Sequence, residues 1–209
     1  MKIAVISSNG RVAKKIIDIA QDRKLQVTGF SSNENKSNVK HFVRKNIFEL
    51  QKSDLEGFDV VVDAFGVWDV NKMDQHITSL RHLCDLLSGT RTRLIVVGGA
   101  GSLYLDKTHT TTVMDDPEFP KEYMPVASNM KIALDELRQR NDVKWTYISP
   151  AAEFDPNGIT TGHYKLGGEE LILNSHGKSY ISYGDYATAL VDEIQNQNYN
   201  QQRISVVSK

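Results

Sequence analysis

Apolar residues fall along this chain either in short continuous runs or in stripes at helical spacing, and the alternation of the two predicts its elements. Ile3-Ala4-Val5-Ile6 is the first run. Val12, Ile16, Ile17 and Ala20 then share one helical face, and Gln26-Val27-Thr28-Gly29-Phe30 forms a second β-rich run after the polar break from Gln21 to Lys24. The amino terminus therefore reads strand, turn, helix, strand, which is a βαβ unit. A short third strand is expected within Val39 to Phe48, and Ser53 to Gly57 reads as one helical turn with Ser53 as N-cap and Gly57 as C-cap. The unbroken Val60-Val61-Val62 implies a strand covered on both faces, as parallel strands are. Met73, Ile77, Leu80, Leu83, Cys84 and Leu87 mark an amphipathic helix that Gly89 stops. A strand at Leu94 to Val97, a helix through Val126, Met130, Ala133, Leu134 and Leu137, and a strand at Trp145 to Ser149 follow. Farther on, Glu170 to Asn174 is expected to pair with Ser179 to Ser182 as a hairpin around His176-Gly177, Asp185 to cap a helix through Ile194, and Gln202 to Val207 to form a last strand.

Strands alternating with helices over residues 1 to 150 predict a doubly wound, mostly parallel α/β sheet with helices on both faces. Residues 151 to 182 are expected to form part of a small C-terminal cap on the substrate side, with residues 1–209 making a single domain. Charge narrows the choice of partners: 25 Lys and Arg face 26 Asp and Glu, for a formal net charge of −1. No segment interleaves basic and aromatic residues, so a nucleic-acid partner is not expected. No run reaches the roughly eighteen apolar residues of a membrane span, and the first residues read as a core strand, so a cytoplasmic, membrane-free protein is expected. The single cysteine, Cys84, lies among Leu80, Leu83, Leu86 and Leu87 and is expected in the core.

Candidate chemistry concentrates where strands end. Ser7-Ser8-Asn9-Gly10-Arg11-Val12-Ala13 stands between the first strand and the first helix, where backbone N–H groups and the helix dipole favour a phosphate. Gly98-Gly99-Ala100-Gly101-Ser102 repeats the theme of a strand followed by glycines, at the edge of the sheet where ligands bind. The aperiodic stretch from Leu103 to Pro120 is longer than a plain connection requires. His76 and His82 are six residues apart on a helix and the other histidines are scattered, so no metal site is expected. His163 beside Tyr164 lies near the cap.

With these pieces in place, the chain resembles the atypical short-chain dehydrogenase/reductase proteins, most closely the small bacterial NADH-flavin reductase group. The resemblance also extends to NAD(P)-dependent epimerase/dehydratase and other NAD(P)-binding proteins. It rests on the first βαβ unit, on Asp63-Ala64-Phe65-Gly66, on Leu94 to Leu103, on Ile148-Ser149-Pro150-Ala151-Ala152, on Tyr164 to Gly168 and on Ile181 to Ala187. It implies a Rossmann-like fold and NADP or NAD as cofactor. The group's first turn, Gly-Ala-Thr-Gly-Arg-x-Gly, puts Ser7 and Ala13 where glycines are expected and Asn9 where threonine is, while Gly10 and Arg11 match. If the backbone at position 7 must be left-handed, Ser7 is strained there.

The cofactor-binding residues so implied are Ser7, Asn9, Gly10, Arg11 and Val12 at the turn, Ser32 where relatives place an arginine for a 2′-phosphate, and Asn46 near the adenine. Ala64, Phe65 and Gly66 follow at the adenosine ribose, with Gly98, Gly99, Lys131, Pro150 and Ala151 completing the set. Lys36 and Lys40 are further cations within reach of a phosphate. The superfamily's catalytic Tyr-x-x-x-Lys falls on Ala127 to Lys131, keeping the lysine and losing the tyrosine. Tyr123 precedes Lys131 by about two helical turns and cannot take that role in the usual geometry. Ser102 and Lys131 are therefore the catalytic candidates.

Three readings stay open. One is an NAD(P)H-binding oxidoreductase that reduces a small-molecule acceptor, a flavin or a quinone, and could form a homodimer. A second is a non-catalytic sensor or interaction protein with a degenerate dinucleotide site. An isomerase or dehydratase of the same superfamily is the third.

Overall fold

A strand made of consecutive valines has no polar face to offer solvent, so β4 (Val60–Asp63) must lie inside a sheet with helices above and below. The computed structural model, which describes residues 1–209, places it there. Before it come β1 (Lys2–Ile6), α1 (Arg11–Asp22), β2 (Gln26–Ser31), β3 (His41–Arg44) and α2 (Lys52–Leu55). After it come α3 (Gln75–Leu87), β5 (Arg93–Val97), α4 (Met124–Leu137), β6 (Lys144–Ser149) and β7 (Glu153–Asp155). The chain continues through β8 (Tyr164–Gly167), β9 (Tyr180–Ser182), α5 (Tyr183–Asn196) and β10 (Gln202–Ser208).

Eight strands form one sheet in the order β3-β2-β1-β4-β5-β6-β10-β8. Seven run parallel; β8 alone is antiparallel, paired to β10. β10 is thus an interior strand although it is last in sequence. Alternate residues of the strands feed two cores. Ile3, Val5, Val60, Val62, Ile95 and Ile148 pack under α1 and α5. Ala4, Ile6, Val61, Leu94, Val96 and Trp145 pack under α3 and α4 together with Cys84. Burial pushes the Cys84 thiol up to about 12, so it stays protonated and unreactive. No helix is long and apolar enough to cross a membrane. The winding reverses between β1 and β4, which opens a crevice at the carboxyl ends of those strands.

Three local expectations are corrected. Ser53 lies inside α2, whose N-cap is Gln51; the Gln51 N–H donates to Asp54 Oδ2 at 2.6 Å. The C-cap is Glu56 rather than Gly57, which follows it at φ +80°. Asp185 does not cap α5: Ser182 does, its Oγ accepting from the Asp185 N–H, while the Asp185 carboxylate accepts from the N–H groups of Thr161 and Gly162. The hairpin around His176-Gly177 does not form. Asn174 Oδ1 accepts from His176 and Lys178 N–H to close a tight turn, and the Leu171 N–H donates to Tyr104 O. Tyr180 to Ser182 instead pairs in parallel with β7. The long stretch from Leu103 is ordered by side chains. Asp106 accepts from the Thr108 hydroxyl and from the N–H groups of Thr108, Thr110 and Thr111, which holds its carboxyl down to about 2. His109 stacks on Tyr104 at 4.3 Å and bonds Glu170 Oε1 at 2.8 Å.

Candidate nucleotide site

The turn from Ser7 to Gly10 leaves β1 at the crevice. Ser7 has φ +59°, the left-handed conformation that the missing glycine would adopt freely. Its carbonyl accepts the Gly10 N–H at 2.9 Å, which closes the turn. Gly10 is the N-cap of α1, at φ −62°, with no side-chain hydrogen bond to the helix and no acidic residue in the first turn. The N–H groups of that turn therefore have no intramolecular side-chain acceptor, and the dipole adds partial positive charge. A Cβ at Gly10 would stand 3.2 Å from Ser7 O and 3.9 Å from Ala64 O, so the turn lies close against the end of β4. Ser8 faces inward, and its buried Oγ has no partner. Because Ser7 holds this strained conformation within the turn, Ser7→Gly should stabilise the protein by about 0.5–1 kcal/mol, the left-handed penalty less the extra chain entropy of glycine. Urea denaturation checks this.

Beside the turn lies a cleft of about 280 Å³ whose walls include Ser7, Ser31, Ser32, Asn46, Phe48 and Phe65. Phe65 is held edge-on by Phe48 at 6.3 Å and by His76 at 5.9 Å. Asn46 Oδ1 caps the turn that follows β3 by accepting from the Phe48 N–H. Asn9 does not point at the crevice. Its Nδ2 donates to Ser31 Oγ and Glu34 O, and its Oδ1 accepts from the Lys36 N–H, tying the loop after β2 to the phosphate turn. Arg11 lies 5.7 Å from the Tyr183 ring centroid. Together with Lys14, Lys15 and Lys36 it lines a cationic shelf of about 310 Å³ behind the helix start, close to Val12. Lys40 borders a different cleft, of about 580 Å³, at the amino edge of the sheet. That edge is remote from the crevice, where ligands of open α/β sheets bind.

The strand ends on the far side of β4 tell a different story. The Gly98 N–H donates to Ile148 O at 2.8 Å and the Gly99 N–H to Tyr147 Oη at 3.2 Å, so both are spent internally. A Cβ at Gly98 would meet the Tyr147 ring at 2.2 Å; this glycine makes room for a side chain of the sheet. Burial pushes the Tyr147 phenol up to about 12. Ser102 is buried, and its Oγ and carbonyl both accept from Arg203 Nη1, at 3.0 and 2.9 Å. Lys131 Nζ sits 2.6 Å from Asp135 Oδ2, one turn along α4. Asp135 also binds Arg138, which binds Glu169, which pairs with Arg203. Ser102 and Lys131 are thus brought into one ladder of charges but not to a common open point. At the position where the tyrosine is lost, Ala127 packs closely on the glycine turn, its Cβ 2.7 Å from where a Gly101 Cβ would be. Pro150 and the buried Ala151 close the end of β6, next to Ala152, whose N–H donates to Ser179 Oγ.

Two features at this edge were not among the site residues expected from the sequence. Trp68, on the loop after β4, is 69% exposed and meets Tyr123, 49% exposed, edge-on at 6.0 Å. Asp63, last in β4, is 5% exposed and accepts the Phe65 N–H at 3.0 Å. It lines a cavity of about 20 Å³ with His76, Ser79 and Tyr147, room for about one water. Burial pushes its carboxyl up to about 6, against that hydrogen bond. The folded state therefore holds the proton more tightly than the unfolded chain. Its contribution to stability is complete below about pH 4 and is lost as pH rises to about 6, a loss of about 3 kcal/mol. Asp63→Asn keeps the acceptor and removes the charge. Urea midpoints should show the variant more stable than the parent at pH 8 and equal to it at pH 4.

An uncapped helix start at a winding reversal, flanked by a cleft of adenosine size, defines a nucleotide-binding α/β protein. A sequence profile of the NAD(P)H-binding family matches residues 8–197, and this chain belongs to that family. The Bacillus subtilis protein YwnB is 42% identical over 212 residues, which cover 100% of this chain and 99% of the relative. Among solved structures, a Streptococcus pneumoniae protein described as a candidate NADH-flavin reductase superposes with a TM-score of 0.98 at 45% identity, covering 100% of both chains. A candidate epimerase from Bacteroides thetaiotaomicron gives 0.84 at 27% identity, over 99% of this chain and 96% of the other.

Proposed function

We propose that this protein is an NAD(P)H-dependent reductase of a planar acceptor, a flavin or a quinone. The observation that carries the reading is the uncapped start of α1 beside Gly10, with its free N–H groups facing the crevice. Gly10, Arg11 and Val12 would hold the pyrophosphate, and Ser7, Ser32, Asn46 and Ala64 to Gly66 the adenosine half. Gly98, Gly99, Pro150 and Ala151 would bound the nicotinamide half by shape, since the glycine N–H groups are already used. Bound there, the reduced dinucleotide supplies a hydride. Ala127 supplies no proton donor where the superfamily has its tyrosine, which favours acceptors that need little general-acid help over simple carbonyl compounds. Trp68 and Tyr123 stand at the same edge and offer ring faces to a planar acceptor.

The test is consumption of NADPH and NADH, followed by their absorbance, with FMN, riboflavin, menadione and a panel of aldehydes and ketones. Turnover with flavin or quinone and none with carbonyl compounds is expected, and Trp68→Ala should raise KM for the acceptor while leaving dinucleotide affinity unchanged. Tight dinucleotide binding with no turnover of any acceptor would instead favour a sensor. That second reading draws on Ser102 and Lys131, whose polar atoms are engaged by Arg203 and Asp135.

A further inference from the structure

The cleft beside Ser7 has no acidic side chain on its walls. Recognition of a bare ribose 2′,3′-diol usually takes a carboxylate acceptor, whereas a phosphate at the 2′ position takes a cation. The walls contribute the hydroxyls of Ser31 and Ser32 and the ammonium groups of Lys45 and Lys72. Both lysines are already paired, Lys45 with Asp54 at 2.6 Å and Lys72 with Asp69 at 3.5 Å. Arg44 is different. Its register opposite Ser31 places it against the end of β2, where Nε donates to Ser32 O at 3.3 Å. No carboxylate pairs with it, the residue is exposed, and neither Nη is engaged in a hydrogen bond within the protein. A guanidinium anchored by Nε alone still presents a planar pair of donors, the geometry that suits a phosphate.

We propose that Arg44, reaching across from β3, selects the 2′-phosphorylated dinucleotide over the unphosphorylated one, with Ser31 and Ser32 as neighbouring donors. This rests on the dinucleotide reading above and deepens it by naming the cofactor. The anchor on Ser32 O fixes the guanidinium without help from a second side chain, and the exposed position means that truncation removes no packing of the core.

Calorimetric titration of NADPH, NADH, adenosine 2′,5′-bisphosphate and AMP tests the assignment on the parent, Arg44→Ala, Arg44→Lys and Lys40→Ala. Lys40 is the control, a cation on the opposite edge of the sheet. The parent should bind NADPH at least about 30-fold tighter than NADH, as two charge-assisted hydrogen bonds allow. Arg44→Ala should bring the ratio to within about threefold by weakening NADPH and the bisphosphate alone, Arg44→Lys should keep part of it, and Lys40→Ala all of it. Equal affinities in the parent, or an equal loss for both dinucleotides in Arg44→Ala, would overturn the assignment while leaving the dinucleotide reading intact. Failure of the parent to bind either dinucleotide would remove both.

Discussion

Gly10→Asp is expected to leave the protein's stability close to the parent's while raising the dissociation constant for a reduced nicotinamide dinucleotide by at least about 100-fold. The two effects share one cause. Gly10 is an N-cap in an extended conformation that any residue can adopt, and the nearest obstacle to a Cβ is Ser7 O at 3.2 Å. Aspartate is among the best N-caps, because its carboxylate accepts from the N–H groups of the second and third helical residues and complements the dipole, a gain of about 0.5–1 kcal/mol over glycine. Those are the groups the pyrophosphate would use. The substitution therefore fills the cradle with an anion of the protein's own and repels another, for a loss of about 3 kcal/mol or more in binding. Thermal denaturation and calorimetric titration on one preparation measure both. A variant that still binds within tenfold would show that the phosphate lies elsewhere.

The largest loss of stability should come from Glu193→Ala, about 3–5 kcal/mol. Arg93 and Glu193 are 7% and 4% exposed and meet at 2.5 Å beneath the sheet. Arg93 also donates to Glu193 O, Tyr199 O and Thr146 Oγ1, while the Glu193 carboxylate accepts from the N–H groups of Asn198 and Tyr199. Removing the carboxylate strands a buried guanidinium and two backbone donors together. Against a total of about 5–15 kcal/mol for a typical domain, the loss should move the urea midpoint far down. Glu193→Gln keeps acceptor oxygen and should cost less. Replacing both residues by methionine should recover only part of the loss, since the N–H groups of Asn198 and Tyr199 would stay unpaired.

The sheet was legible in the sequence because burial on both faces leaves a plain mark: Ile3 to Ile6, Val60 to Val62 and Leu94 to Val97 carry no polar alternation, and the stripes between them have helical period. The strain at Ser7 was legible too, since the turn type fixes the backbone whatever side chain is present. Other assignments depended on register and long-range contact. Ser102 looks free beside its glycines, yet the arginine that engages it lies 101 residues on and arrives only because β10 inserts next to β6. Arg44 becomes a neighbour of Ser32 only through the pairing of β2 with β3. Tyr180 to Ser182 pairs with Glu153 to Asp155 rather than with Glu170 to Asn174, which lies nearer in sequence. The fate of position 127 was legible only in half: the loss of tyrosine is visible, but not the close packing of Ala127 on Gly101.

The place of β10 also sets the order in which this protein can be finished. β8 has β10 as its only neighbour in the main sheet, and β6 gains its second neighbour from β10 as well. While the chain is being made, residues 164–167 must wait without a sheet partner until residues 202–208 have left the ribosome, and until then β6 is an open edge of a kind that invites pairing between molecules. The carboxyl-terminal third of this sheet therefore closes only once residues 202–208 are available, and a chain cut off before residue 202 would lack both the partner of β8 and the ion-pair ladder to Arg203.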